Sequence, residues 1–306
     1  SRNQWRVAAK RPPHLTAIIP WEGGNDPYRD SGYHGGILSQ FSEIWSKVQV
    51  AHVQYGYGER GKISPNTGLP AAGPVNLSDE ELAKNRVNAF EELKKHPLDD
   101  EWHQSRRADF SKIEAPLLSC ANWGGQGIHP RGNFNGYMES ASKQKWLEAH
   151  GDSHWALFSS GYGLDLQKRF FDFFLKDIDN GWDKTSPVTL NIRHPGPKFV
   201  PREESEWPIA RTQWTKFFLD LDNKALTTEP AGESSLEYDG LGDGATFWMP
   251  ALEEEMEITG PMAAKLFVSS STEDADLFLI VRVFDPNGDE LTFMGSTDPN
   301  TPIACG

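Results

Sequence analysis

The hydrophobic pattern changes its period once along this chain, and that change limits the fold more than any single motif. Up to about residue 182, stretches with apolar residues three and four apart alternate with short apolar runs. From Pro187 onward no long helix is legible. The runs VTLNIRH, TQWTKFFLD, ATFWMP, MAAKLFVSSS, DLFLIVRVFD and ELTFMG take over, and Asp285-Pro-Asn-Gly-Asp marks a hairpin turn between two of them. Alternating helix and strand predicts an α/β sheet. Many short strands with turns between them predict a β-sandwich or jelly roll. The length, 306 residues, suits about two such domains.

The first part divides further. NQWRVAA predicts a helix and HLTAIIPW a short buried strand. Residues 28–105 differ in character. Ile37, Phe41, Ile44, Trp45 and Val48 fall at helical spacing, the Gly/Pro-rich loop GKISPNTGLPAAGP follows, and NLSDEELAKNRVNAFEELKKH opens with a capping box, Ser78 three residues ahead of Glu81. This segment is expected to be a helical insertion. The α/β pattern resumes with the buried strand IEAPLLSCANW. KQKWLEAH is expected to be a short amphipathic helix. Leu164–Lys176 is expected to be a longer one with Leu166, Phe170, Phe173 and Phe174 on one face, stopped by Gly181.

Composition excludes some functions. With 30 Lys and Arg against 44 Asp and Glu, the formal charge is -14, which disfavours nucleic acid and anionic membrane as partners. No apolar run reaches the roughly 20 residues needed to cross a bilayer. The two cysteines, Cys120 and Cys305, form neither a disulfide framework nor a zinc site, so a reducing cytoplasm is the expected setting. No His, Asp or Glu cluster has metal-ligand spacing, and no cofactor is expected.

Chemistry enters at HGDSHW, residues 150–155. His154 is a candidate general base, because an imidazole near neutral pKa can take a proton from a hydroxyl and return it to a leaving group. A base of this kind needs a nucleophile, and the G-x-S-x-G elbow that would expose a serine is absent. Gly151-Asp152-Ser153 has only its first half, with Trp155 in the fifth place.

The segment NQWRVAAKRPPHLTAIIPWEGGNDPYRDSGYHGGIL, the pair KWLEAHGDSHW and LQKRFFDFFLKDIDNGW, and the strand PVTLNIRH together resemble the cocaine-esterase, α-amino-acid ester hydrolase and X-prolyl dipeptidyl-peptidase family of serine hydrolases. The resemblance covers essentially the whole chain. It implies an α/β-hydrolase domain (residues 1–27 and 106–182, incomplete at its N-terminal side), a helical cap (28–105) and a C-terminal jelly roll of the galactose-binding kind (187–306). It puts the nucleophile about three residues before Ser1 and His154 in the base position. It implies a small-molecule ester or peptide substrate, and is compatible with a homo-oligomer.

One departure stands out. Where the family's triad acid is expected, after the strand PLLSCANW, this chain has Gly124 and Gly125. Glu22 and Asp152 are the alternatives, and the sequence does not choose between them. Trp21, Tyr33, Trp123 and Trp155 are candidate lining residues of an apolar pocket, with core packing as the competing role. His34 is a candidate to help close the cap. His129 and Arg131 suit a loop better than a carboxylate site. Two rival readings follow from these features: a catalytically inactive relative that binds ligands or partners, and a carbohydrate-binding β-sandwich using Trp207, Trp214 and Trp248.

Overall fold

A computed structural model describes residues 1–50, 61–71, 78–295 and 298–306. The end of the Gly/Pro-rich loop, residues 72–74, lies outside them. Arg2–Ala9 form α1, as the sequence predicts, with Trp5 and Ala8 buried against Ile18, Phe110, Ile113 and Leu117. Tyr33–His34 (β1) and Ile37–Leu38 (β2) make a small hairpin, followed by α2 (Gln40–Trp45), α3 (Asp79–Lys84), α4 (Ala89–Lys94) and α5 (Glu101–Gln104). The central region contains β3 (Leu117–Asn122), α6 (Pro130–Glu139), β4 (Lys145–His150), α7 (Ala156–Ser159), α8 (Gly161–Lys176), β5 (Val188–His194) and β6 (Lys198–Glu204). The remainder contains β7 (Phe218–Asp220), β8 (Ala225–Thr227), β9 (Ile280–Val281) and β10 (Ala304–Cys305).

The main sheet has the order β3-β4-β5-β6. The first three strands are parallel and β6 is antiparallel to β5. Residues 18–22 run along the outer edge of β3, with parallel bridges Ile18–Leu117 and Trp21–Cys120. One face of the sheet packs Ala121, Leu147, Ala149, Val188 and Leu190 with Tyr137 of α6 and Trp207. The other packs Leu118, Cys120 and Trp146 under Phe170 of α8 and Trp182. The predicted face of α8 therefore does meet the sheet.

Several expectations are corrected. KQKWLEAH is not a helix: residues 145–150 are β4, a central strand buried on both faces. Such strands lack the polar–apolar alternation of a half-exposed one, and the buried polar residues Glu148 and His150 made the segment look amphipathic. The helical run from Ile37 begins later than its spacing suggests. Gly35 and Gly36, with φ of +60° and +96°, turn the chain so that Ile37 pairs with His34, and Ser39 then caps α2. The segment after Ser78 does carry the capping box, but it breaks into two helices because Asn88 caps a second one at Glu91. α8 stops at Asp177, which takes the left-handed conformation (φ +52°), four residues before Gly181.

The β-rich half differs most from expectation. β5 and β6 belong to the main sheet, so Pro187 does not mark a break in it. Beyond them, the described residues form two short antiparallel pairs and single bridges, among them Phe284–Glu290 across the predicted Asp285 hairpin. MAAKLFVSSS has strand-like composition but no ladder partner among the described residues, and Phe267 is 92% exposed. Composition makes a strand eligible for pairing; only a neighbour at the right register completes it. No two-layer sandwich is present among the described residues, nor is any helix there long and apolar enough to cross a membrane.

Candidate acid–base site

Three adjacent parallel segments end in polar residues. Glu22 closes the edge segment, Asn122 closes β3 and His150 closes β4, with Asn122 and His150 in direct register. The carboxyl ends of such strands are where α/β sheets place their reactive groups. The backbone at Glu22 takes φ +47°, a conformation that costs a non-glycine residue on the order of 1–2 kcal/mol. Its neighbours hold it there: the Glu22 amide donates to Cys120 O at 2.7 Å, and Gly23 N donates to Asn133 Oδ1 at 2.7 Å.

The Glu22 carboxylate is almost fully buried and shared between two imidazoles. Oε2 is hydrogen-bonded to Nδ1 of His154, while Oε1 faces Nε2 of His150 at 3.1 Å and accepts from Asn122 Nδ2 at 3.3 Å. Burial alone would push its pKa up. The hydrogen bonds from His150 and His154 outweigh that and hold it at about 2, so Glu22 is ionised across the neutral range.

His154 sits in the turn after β4. Asn122 anchors this turn by donating to Asp152 O at 2.9 Å, while its own Oδ1 accepts from Gly124 N at 2.8 Å. Nδ1 of His154 is committed to Glu22, Nε2 has no hydrogen-bond partner among the described residues, and the side chain is 13% exposed. The indole of Trp155 meets the His154 ring edge-on at 4.3 Å and is itself 64% exposed. His129, just before α6, stacks on the His154 ring at 5.1 Å with the planes 11° apart. Burial, reinforced by His154, lowers the pKa of His129 to about 3 and keeps it neutral. The start of α1 reaches the same place: a Cβ added to Gly23 would lie 3.1 Å from the Cβ of Ser1.

The structure brings only some of the expected site residues together. His154 and Trp155 are in the site, and of the two alternative acids Glu22 is at the imidazole. Asp152 is exposed, and its carboxylate accepts from the backbone of Ser153. Trp21 lies beneath the site, 5.2 Å from the His150 ring and 5.5 Å from Phe158. Tyr33 and Trp123 are packing residues. Tyr33 stacks on Tyr28 and donates to Leu93 O, while Trp123 stacks on Phe134 and donates to Asn191 O. His34 lies over the loop at Gly127, where a Cβ would come within 3.0 Å of its ring. Arg131 is committed to Asp30 at 3.2 Å.

Sequence reasoning set His129 aside as a loop residue and missed Asn122, Glu148 and His150. For the last two a signal was present. Read as a strand, EAH puts Glu148 and His150 on one face, beside the histidine turn. His129 carried no such signal, because only the α6 loop brings it against His154.

Glu22, His129 and His154 are also the described residues closest to a metal-ligand set, with one ligand atom from each within 4.8 Å of the others. The geometry opposes that use. Imidazole lone pairs lie in the ring plane, and two rings stacked 11° from parallel point side by side instead of converging. The arrangement is suited to moving a proton at Nε2 of His154, with Glu22 fixing the tautomer and balancing the charge that results.

Residues 2–156 match the family described as X-Pro dipeptidyl-peptidase (S15 family), and residues 180–306 match the X-Pro dipeptidyl-peptidase C-terminal non-catalytic domain. Among solved structures the chain is similar to a CocE/NonD family hydrolase from Staphylococcus aureus, at 29% identity and a TM-score of 0.76, over 99% of this chain and 51% of that one. A 1.95 Å crystal structure of the same hydrolase gives 29% identity and a TM-score of 0.75, over 99% of this chain and 50% of that one. An α-amino acid ester hydrolase is more distant, at 14% identity and a TM-score of 0.48 over 75% of this chain and 42% of its own. The chain thus spans about half the length of these two CocE/NonD hydrolase structures. Among curated proteins none matches it.

Proposed function

The chain belongs to the X-Pro dipeptidyl-peptidase S15 family, and from that premise we propose that the whole protein is a serine hydrolase in which His154 is the general base and Glu22 the acid that orients it. The nucleophile is a serine on the chain preceding Ser1. The start of α1 supports this, since Ser1 lies beside Gly23, the residue that follows Glu22, so the chain entering α1 comes close to the Glu22–His154 pair.

In the first step the serine hydroxyl attacks the carbonyl carbon of the substrate. Its proton passes to Nε2 of His154, and the carbonyl oxygen becomes an oxyanion. Collapse of that intermediate expels the alcohol or amine, which takes the proton back from His154 and leaves an acyl-serine. Water then repeats the sequence: its proton goes to His154, its oxygen to the acyl carbon, and the acid departs as the serine recovers its proton. Throughout, Glu22 keeps Nδ1 protonated and offsets the positive charge His154 carries between steps. The substrate bond is an ester, an amide or an X-prolyl peptide bond, and the exposed indole of Trp155 offers an apolar surface beside it.

The observation that carries this reading is the Glu22–His154 hydrogen bond at the carboxyl end of parallel strands. It supplies an acid despite Gly124 and Gly125, the feature that had favoured an inactive relative. The test is a fluorophosphonate probe on the full-length protein. Labelling is expected in the wild type and lost in His154→Ala. A folded wild type that resists the probe would overturn the reading.

A further inference from the structure

His150 takes no part in the proton transfers just described, yet it is 1% exposed and both its ring nitrogens face carboxylates. Nε2 faces Glu22 Oε1 at 3.1 Å, and Nδ1 faces Glu148 Oε2 at 2.7 Å. A neutral imidazole has one N–H and one lone pair, so it would turn its lone pair on an anion at one of these contacts; only the doubly protonated ring satisfies both. Glu148 is equally committed on its far side, where Oε1 accepts from Tyr162 of α8 at 3.1 Å and from Asn191 of β5 at 3.0 Å.

We infer that His150 is a positioning residue: an imidazolium at neutral pH that, with Glu148, fixes the carboxylate of Glu22 in the rotation His154 requires. The site is then a buried array, Glu148–His150–Glu22–His154, in place of a lone acid and base. The inference rests on His154 being the general base.

The geometry gives His150 this task. A carboxylate is symmetric and can swing about its last bond, and among the described residues Oε2 has only His154 as a partner. The orientation is set at Oε1, where His150 and Asn122 donate from β4 and β3. The charge balance fits as well. Glu148 and His150 cancel, so the array is neutral when His154 is protonated, the state it reaches as the serine attacks. The groups facing His150 are Glu148 beside it on β4, Glu22 from the edge segment, and the Trp21 ring at 5.2 Å. Cys120 of β3 is near both carboxylates, and burial followed by those two charges keeps its thiol protonated.

The experiment compares full-length wild type, His150→Gln and the double variant His150→Gln/Glu148→Gln. The double variant keeps hydrogen-bonding groups in place and removes the Glu148 charge together with that of its His150 counterion. For each, the fluorophosphonate inactivation rate is measured from pH 5 to 9, alongside urea unfolding. The expected result is a roughly ten- to hundredfold slower maximal rate in both variants. The acid limb is expected to move to higher pH, because a positive charge near His154 has gone. A double variant with the wild-type rate and limb overturns the inference and leaves His150 as packing. A wild type that is not labelled overturns the serine-hydrolase reading instead. Should neither variant fold, ¹⁵N NMR of the wild-type imidazoles decides: protonation of both His150 nitrogens at pH 7.5 supports the array, and a neutral ring refutes it.

Discussion

Replacing Glu22 by glutamine changes one atom and, by the hydrogen bonds around it, reverses a proton. Oε1 of Glu22 is met by two donors, His150 Nε2 and Asn122 Nδ2. The amide oxygen of a glutamine must therefore lodge there, which turns its NH₂ toward Nδ1 of His154. A donor facing Nδ1 forces that nitrogen to accept, so the ring proton moves to Nε2. A ring protonated at Nε2 has no lone pair there for the serine proton. In a serine protease, the same acid-to-amide change imposes the wrong tautomer and lowers kcat about 10⁴-fold, equivalent to roughly 5.5 kcal/mol of barrier at about 1.4 kcal/mol per decade. The same order is expected for Glu22→Gln in the full-length protein. The assay is steady-state hydrolysis of an activated ester, with urea unfolding of the same sample to establish that it is folded. A folded Glu22→Gln protein that keeps kcat within tenfold of wild type would refute the assignment of the acid, and with it the reason for Glu22's strained backbone.

Four further outcomes are expected. Burial pulls the pKa of His150 down, but Glu148 and Glu22 more than offset this and raise it to about 9, against about 6.5 unfolded. The folded state thus binds this proton more tightly, and the stability it contributes is complete below pH 6.5 and lost as pH rises through 9. Urea unfolding should be weaker at pH 9.5 than at pH 6 by on the order of 3 kcal/mol, and equal values at the two pH would contradict a charged His150. Phe170→Ala removes a fully buried ring between Trp146 and Trp182 and should cost about 3–5 kcal/mol in the same measurement. Gly132→Ala would bring a Cβ to within 2.6 Å of Asn25 N and 2.7 Å of Gly23 O, backbone atoms that cannot rotate away. It should destabilise by about 1–3 kcal/mol and slow probe labelling, since Gly23 adjoins Glu22. Trp155→Ala, at an exposed position, should leave stability within about 0.5 kcal/mol while raising KM for aryl esters; an unchanged KM would remove Trp155 from the substrate surface.

What the sequence determined by itself is whatever depends on neighbours along the chain. α1, the face of α8, the buried strand β3 and the capping box at Ser78 follow from periodicity and cap residues, which act within a turn or two. His154 stood out as the base candidate for a related reason, since its flanks carry a resemblance over a long stretch. Tertiary structure decided the rest. Residues 145–150 became a strand because β3 and β5 flank them on both sides, a fact no local window contains. Glu22 became the partner of His154, 132 positions away, because residues 18–22 and β4 end at the same edge of one sheet. Asp152, two residues from the histidine, points elsewhere. Hydrogen bonds and charges act through space over a few ångströms, and only the pairing of strands sets which distant side chains come within that reach.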